Sequence, residues 1–125
     1  MTNSEATSNL ALLRGAVASE LVSRELPTGS TVVQFDVSTE IAASDKTVKV
    51  SVPVSWVDPP SKVLDPIERG LDIVVVGTVR RRFFRSGGST QSRTEVVVDT
   101  VVPARRTKQV LTLVSDTAAR VAGSL

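Results

Sequence analysis

Two segments of the chain alternate between apolar and polar residues. In the segment Thr31–Thr39, the side chains of Val33, Phe35 and Val37 fall on one side and polar side chains fall on the other. In the segment Lys46–Val54, valine occupies every second position from residue 48 onward. Because an alternation of period two places successive side chains on opposite faces, both segments are predicted to be β-strands with one buried face.

Three further apolar segments are predicted to be strands. The first is Asn9–Val22, where Gly15 would weaken a helix and therefore favours a strand. A turn is predicted at Glu25–Ser30, which contains a proline and a glycine. The fourth and fifth strands are the valine-rich runs Leu71–Phe84 and Arg93–Val102.

The segment Trp56–Gly70 interrupts the strands and predicts a short helix. Its N-terminus is predicted at Asp58 or Ser61, or at Asp65–Pro66, where an acidic cap would precede a proline in the first helical position. Gly70 is a candidate stop signal. The internal prolines keep any helix here short or irregular.

A second helix is predicted at the end of the chain, over residues 107–125. The residues that recur there at helical spacing are Val110, Leu113, Val114, Thr117 and Val121. Residues 1–8 are polar and are predicted to be disordered, which leaves residues 9–106 as the folded domain.

The order of these elements predicts an all-β fold. Three strands, a short helix and two further strands are the topology of the five-stranded OB-fold barrel, here followed by a C-terminal helix. OB-folds commonly bind oligonucleotides, but the fold alone does not decide function.

The composition argues against an enzyme. The chain has no cysteine and no histidine, so thiol chemistry, the commonest general base and the commonest metal ligand are all excluded. No acidic loop supplies an oxygen-only metal site, and we expect neither a cofactor nor a metal. No apolar run approaches the roughly 20 residues that span a membrane, and no signal peptide is recognisable, so we expect a cytoplasmic protein.

The net charge of +2 is unevenly distributed. Between Arg80 and Lys108 there are eight basic and two acidic residues, a net charge of +6, whereas the rest of the chain has a net charge of −4. This asymmetry suggests a polyanionic partner that meets one region of the surface. The alternative is a basic hairpin that is simply solvated.

Most of that charge lies on a predicted hairpin, residues 77–99, with a mobile, glycine-rich tip at RSGGSTQS. Alternation places Arg80, Arg82 and Phe84 on one face, as two phosphate partners and a ring that stacks on a base. It places Arg81 and Phe83 on the other face, where packing is expected. The remaining aromatic residues, Phe35 and Trp56, are predicted to pack in the core.

Four sequence blocks, in order, resemble the bacterial single-stranded DNA-binding protein family over residues 9–106. They are NLALLRGAV, the turn and strand RELPTGSTVVQFDVST, Trp56 followed by ERGLDIVVVG, and the pattern formed by Gly77, Val79, Arg80, Arg82 and Phe84 before TEVVVD. The resemblance implies an OB-fold, a homo-oligomer that is usually a tetramer, and sequence-tolerant binding of single-stranded DNA in replication, recombination or repair. It also implies a protein associated with the nucleoid, with Phe84 at the family's main base-stacking position.

Several departures from the family pattern indicate a divergent, actinobacterial-type paralogue. No aromatic residue precedes the strand at DKTVKV, and the short connection EIAASDK predicts a stunted hairpin. The sequence ends in RVAGSL, and we therefore expect no recruitment of repair proteins through the acidic tip that the family uses.

The predicted nucleic-acid-binding residues are Arg80, Arg82, Phe84, Arg85, Arg93, Lys49 and Arg14. Two alternatives stay open. One is an OB-fold interaction module with weak or lost DNA binding, in which the C-terminal helix is an assembly or partner surface formed by Val110, Leu113, Val114 and Val121. The other is binding of RNA or duplex DNA, because phosphate contacts and stacking do not choose between nucleic acids.

Overall fold

The structure, a computed structural model, describes residues 7–123. Its elements in chain order are β1 (Ala11–Val17), β2 (Val22–Glu25), β3 (Thr31–Ala43), β4 (Lys46–Val57), α1 (Ser61–Leu64), β5 (Asp72–Ser86), β6 (Ser89–Pro103) and α2 (Thr107–Val121). The predicted disorder of residues 1–8 concerns residues that lie mostly outside this range. Neither helix within it is long and apolar enough to cross a membrane.

Five of the strands close into a barrel. The hydrogen-bonded order is β1-β5-β6-β4-β3-β2, and β1 pairs with β3 as well as with β5, which completes the ring and leaves β2 as an additional edge strand. All pairings are antiparallel except that of β4 with β6. The predicted OB-fold barrel, with α1 between the third and fourth barrel strands and a C-terminal helix, is confirmed.

The predicted first strand, Asn9–Val22, is in fact two strands. β1 ends at Val17, and β2 begins at Val22 and pairs only with β3. Between them, the Ser19 hydroxyl accepts a hydrogen bond from the backbone N–H of Asp36 at 2.9 Å. Because this side chain bonds the β3 backbone, the chain can change direction there without losing contact with the sheet.

The first helix is a single turn, and the prediction that it begins at Asp65–Pro66 is wrong. It begins after Pro60 with no side-chain cap, and Asp65 is its C-cap. Pro66 has no N–H to donate to the carbonyl four residues earlier, so the helix stops there. Asp58 does not cap the helix either; its Oδ1 accepts a hydrogen bond from the backbone N–H of Thr31 at 2.8 Å.

The β3–β4 hairpin is long, which corrects the predicted stunted hairpin. Its register runs without interruption from Val32 opposite Val57 to Ala43 opposite Lys46. Most of the segment EIAASDK is therefore strand, closed by a two-residue turn in which Ser44 has a φ of 55°.

The β5–β6 hairpin is also longer than predicted, because its strands remain paired as far as Ser86 opposite Ser89. Gly87 and Gly88 alone form the turn, with φ values of 60° and 84°. Two consecutive positive φ values match the twist of a two-residue hairpin turn, which glycine adopts without steric cost. The predicted eight-residue mobile tip is wrong, since six of those residues continue the strands.

The barrel interior is filled by β-branched side chains from every strand of the ring. Phe35 and Trp56 are each 4% exposed within it, which confirms that both pack in the core. The buried residues of this cluster are Val17, Val33, Phe35, Val37, Val54, Trp56, Ile67, Ile73, Val75, Val96, Val98 and Val101.

Helix α2 lies against the outer surface of β6. Thr117 is buried and Leu113 is half-buried, while Arg120 Nη2 lies 3.3 Å from the carboxylate of Asp99. Leu111 and Val114 are exposed. Val110 is half-buried like Leu113, so the prediction that these two residues form part of an assembly surface is wrong.

Closure of the ring depends on Gly15, where β1 approaches β3. A Cβ atom at this position would lie 2.0 Å from the carbonyl oxygen of Ser38. No other residue type fits there, because the obstacle is backbone and cannot rotate away.

We therefore expect Gly15→Ala to lower the free energy of unfolding by about 3 kcal/mol, the upper end of overpacking costs. Gly29→Ala is the control: nothing lies within 4 Å of its Cβ, but its φ of 93° is unfavourable and should cost about 1–2 kcal/mol. Urea denaturation of both variants measures the difference. A loss at Gly15 no larger than that at Gly29 would contradict the role of Gly15 in closure.

Candidate nucleic-acid interface

The outer half of the β5–β6 hairpin extends beyond the barrel. Residues 73–77 of β5 are buried, whereas nearly all of residues 80–94 are exposed although their ladder stays complete. We call residues 80–94 the hairpin arm. Toward its tip the arm has no barrel beneath it, so both of its faces are open there. At its base, Arg80, Arg82 and Arg93 still lie beside side chains of β2, β3 and β4.

The structure places Arg80, Arg82 and Phe84 on one face of the arm, as predicted from alternation. Arg80 Nη2 lies 2.6 Å from Oε2 of Glu95, and Arg82 Nε lies 3.7 Å from Oε1 of the same residue. The guanidinium carbon of Arg82 lies 5.5 Å from the centre of the Phe84 ring, within cation–π distance. Cations and ring therefore form one continuous surface.

Glu95 lies at the base of this surface and is only 2% exposed. Its Oε1 accepts a hydrogen bond from Ser55 Oγ at 3.0 Å, and Ser55 Oγ in turn accepts one from Gln34 at 3.3 Å. Burial raises the pKa of Glu95, but hydrogen bonds from Arg80 and Ser55 and the positive charges of Arg82 and Arg80 outweigh it, so the pKa lies below its ordinary value. The carboxylate is therefore ionised at neutral pH.

The two arginines are thus ion-paired, which the sequence did not reveal. Arg80 remains 52% exposed, so part of its guanidinium reaches solvent. Among the described residues, the Nε of Arg82 is the buried side-chain polar atom that lacks a hydrogen-bond partner. Arg80, Arg82 and Glu95 line a groove together with Arg24. Arg24 was not predicted as a site residue; it reaches this groove because pairing of β2 with β3 places it opposite Val32.

Both phenylalanine side chains of the arm are accessible to solvent, so the prediction that Phe83 packs is wrong. Phe83 is 66% exposed and Phe84 is 37% exposed. Phe83 lies on the face that continues the barrel interior, but the arm has already left the barrel at that point, so no core residue covers the ring. Both rings are therefore accessible to a ligand.

The other candidate residues fall into two places. On the arm, Arg85 donates a hydrogen bond to the Gly88 carbonyl at 3.2 Å, and Arg93 lies 3.6 Å from Asp36. Arg14 and Lys49 line a separate depression beside β1 and β3, where Arg14 Nη2 is 2.9 Å from the carboxylate of Asp72. Their contact with nucleic acid stays a prediction.

The basic segment does not form one patch. Arg81 and Arg85 lie on the arm, whereas Arg105, Arg106 and Lys108 lie beyond the other end of β6. Arg81 is paired with Thr94, nine residues before the end of β6 at Pro103, and nine strand residues at about 3.3 Å each correspond to roughly 30 Å. Within residues 7–123, no three acidic, histidine or cysteine side chains group closely enough to hold a metal ion.

The low pKa of Glu95 predicts how the free energy of unfolding changes at acidic pH. A carboxylate whose pKa is lowered by folding stabilises the protein above its ordinary pKa of 4.5 and loses that contribution as the pH falls further. We expect Glu95→Gln to lower the free energy of unfolding by roughly 1–3 kcal/mol at pH 7, and this difference should shrink below pH 4.5. Chemical denaturation at several pH values tests it, and a difference independent of pH would contradict it.

Comparison with known proteins gives the fold. No family model and no curated protein matches the chain. Among solved structures, it is similar to a Plasmodium falciparum SSB in complex with ssDNA, with a TM-score of 0.65 and 18% identity, covering 78% of this chain and 95% of that one. It is also similar to a deletion mutant of the single-stranded DNA binding protein from Thermus aquaticus, with a TM-score of 0.66 and 20% identity. That match covers 77% of this chain and half of the other. At these identities, what the three chains share is the fold.

Proposed function

We propose that the protein binds single-stranded DNA without sequence specificity, through the hairpin arm, and protects it during replication, recombination or repair. The observation that carries the proposal is the exposure of two phenylalanine rings among arginines on an arm that projects from an OB-fold barrel. The P. falciparum protein of the same fold was solved with ssDNA, which supports this reading.

On the arm, phenylalanine rings would stack on bases and arginine side chains would contact phosphates. Phe83 and Phe84 would each stack on a base, an interaction worth about 1–3 kcal/mol that tolerates any sequence because every base has a π-face. Arg81 and Arg85 form no ion pair within residues 7–123, so their full charge is available to phosphates. Such contacts release counterions and make affinity depend on salt.

The rings provide the first test. We expect Phe83→Ala and Phe84→Ala each to weaken binding of oligo-dT by about 5- to 150-fold, the equivalent of one lost stacking contact. Val63→Ala is the matched control, since Val63 is 37% exposed, as Phe84 is, but lies on α1. Fluorescence anisotropy at low salt measures the affinities.

Parallel titrations with duplex DNA and oligo-rU separate the classes of nucleic acid. Absence of oligo-dT binding at low salt would overturn the proposed function. Equal affinity for duplex DNA would instead indicate phosphate binding without stacking, because bases in a duplex are not free to stack on protein rings.

A second candidate function is an interaction module, and a specific feature of α2 favours it. The outward side of the helix presents Leu111, Val114, Ala118 and Val121 at successive spacings of three, four and three residues. Such spacing places these side chains on one face, where they could pack against another subunit. Homo-oligomer formation, as a dimer or tetramer, belongs to this part of the proposal.

Substitution tests this candidate better than deletion of residues 107–125, because Thr117 and Leu113 face the barrel and deletion would uncover it. If α2 mediates assembly, the double variant Leu111→Ser/Val114→Ser should have a lower mass by light scattering than the wild type. An unchanged mass would rule out assembly through this face.

A further inference from the structure

Glu95 has a position that neither stacking nor phosphate binding explains. It is an acidic residue buried directly beneath arginines that are proposed to contact a polyanion. We propose that Glu95 is a positioning residue of the DNA interface: an internal anion that anchors Arg80 and competes with a DNA phosphate for Arg82. This inference rests on the proposed function and names a residue that regulates the strength of the same site.

The two carboxylate oxygens of Glu95 hold different partners. Oε2 accepts the short hydrogen bond from Arg80 at 2.6 Å, while Oε1 accepts the Ser55 hydroxyl at 3.0 Å. A guanidinium group has five N–H donors, so Arg80 keeps others for a ligand while one is anchored. Because Glu95 is itself almost inaccessible, the phosphate would meet the arginines and not the carboxylate.

Arg82 is held more weakly than Arg80. Its Nε is 3.7 Å from Oε1, too far for a hydrogen bond, and this buried donor has no partner within residues 7–123. Movement of Arg82 toward a phosphate would therefore break no hydrogen bond. It would also satisfy a donor whose burial without a partner is costly.

The charge of the groove follows from this arrangement. Arg24, Arg80, Arg82 and Glu95 line it together, so three positive charges are opposed by one negative charge. The neighbouring Arg93 is itself paired with Asp36, and the remaining polar contacts of Glu95, Ser55 and Gln34, are neutral. Neutralising Glu95 should thus make one additional positive charge available to DNA.

The alternative is that Glu95 only stabilises the fold by joining β4, β5 and β6. In that case its neutralisation lowers stability but leaves the number of phosphate contacts unchanged. The salt dependence of binding separates the two roles, because its slope counts neutralised phosphates and does not report stability.

The first experiment measures oligo-dT affinity of the full chain between about 50 and 200 mM salt, a range over which such slopes are well defined. For Glu95→Gln, folded by circular dichroism at the assay temperature, we expect the slope of log K against log salt to steepen by about 0.7, the value of one phosphate contact to a single strand. Adding Arg82→Gln to this variant should abolish the increment.

Asp99→Asn is the matched control. It removes the same charge from the same strand, and Asp99 is likewise ion-paired, with Arg120 at 3.3 Å, but it lies away from the arm. Its slope should equal that of the wild type. If the slope for Glu95→Gln equals the slopes of the wild type and of Asp99→Asn, the inference is overturned while the proposed function stays intact.

A second experiment uses the wild-type protein and does not depend on how the variant folds. The carboxyl carbon of Glu95 is titrated by NMR with and without saturating oligo-dT. If a phosphate draws Arg82 away, the pKa of Glu95 rises in the complex; an unchanged pKa would overturn the inference. Failure of the wild-type protein to bind oligo-dT would overturn the proposed function and this inference together.

Discussion

The fold depends on β1, the strand whose second pairing closes the barrel. β1 hydrogen-bonds with β5 along most of its length and with β3 at its end, and this double pairing turns a sheet into a closed ring. It is possible because Gly15 presents no side chain to the β3 backbone. Once closed, the ring encloses a volume that only apolar side chains fill, so polar side chains such as Gln34 and Ser55 are confined to the outer surface.

The candidate site exists because strands β5 and β6 are longer than the barrel wall. β5 and β6 each have 15 residues, more than the barrel wall can use, so their paired ends continue into solvent. The same alternation that fills the core at Val75 exposes a ring at Phe83, eight residues later on the same face. Glu95 lies where the arm leaves the barrel, and its buried carboxylate accepts hydrogen bonds both from Arg80 of the arm and from Ser55 of the barrel.

Local pattern was sufficient to predict the five barrel strands, though not the separation of β2 from β1 or the full length of the hairpins. It also predicted the core position of Phe35 and the shared face of Arg80 and Arg82, because period-two alternation records which face is buried. It was not sufficient where a distant partner decides the outcome. The exposure of Phe83 depends on where the barrel ends. The pairing of Glu95 with two arginines and the arrival of Arg24 in their groove both depend on register between strands, which sequence alternation does not encode.

The closed ring also determines the order in which the protein can fold. The hairpins β3–β4 and β5–β6 join neighbouring residues through two-residue turns, and pairs of this kind form in microseconds. The pairing of Leu12 with Val76 joins opposite halves of the chain, so it carries a larger loss of chain entropy and should be slow. Until β1 docks, the valine-rich edge of β5 is unprotected, and β1 therefore acts as the cover that prevents edge-to-edge aggregation during folding.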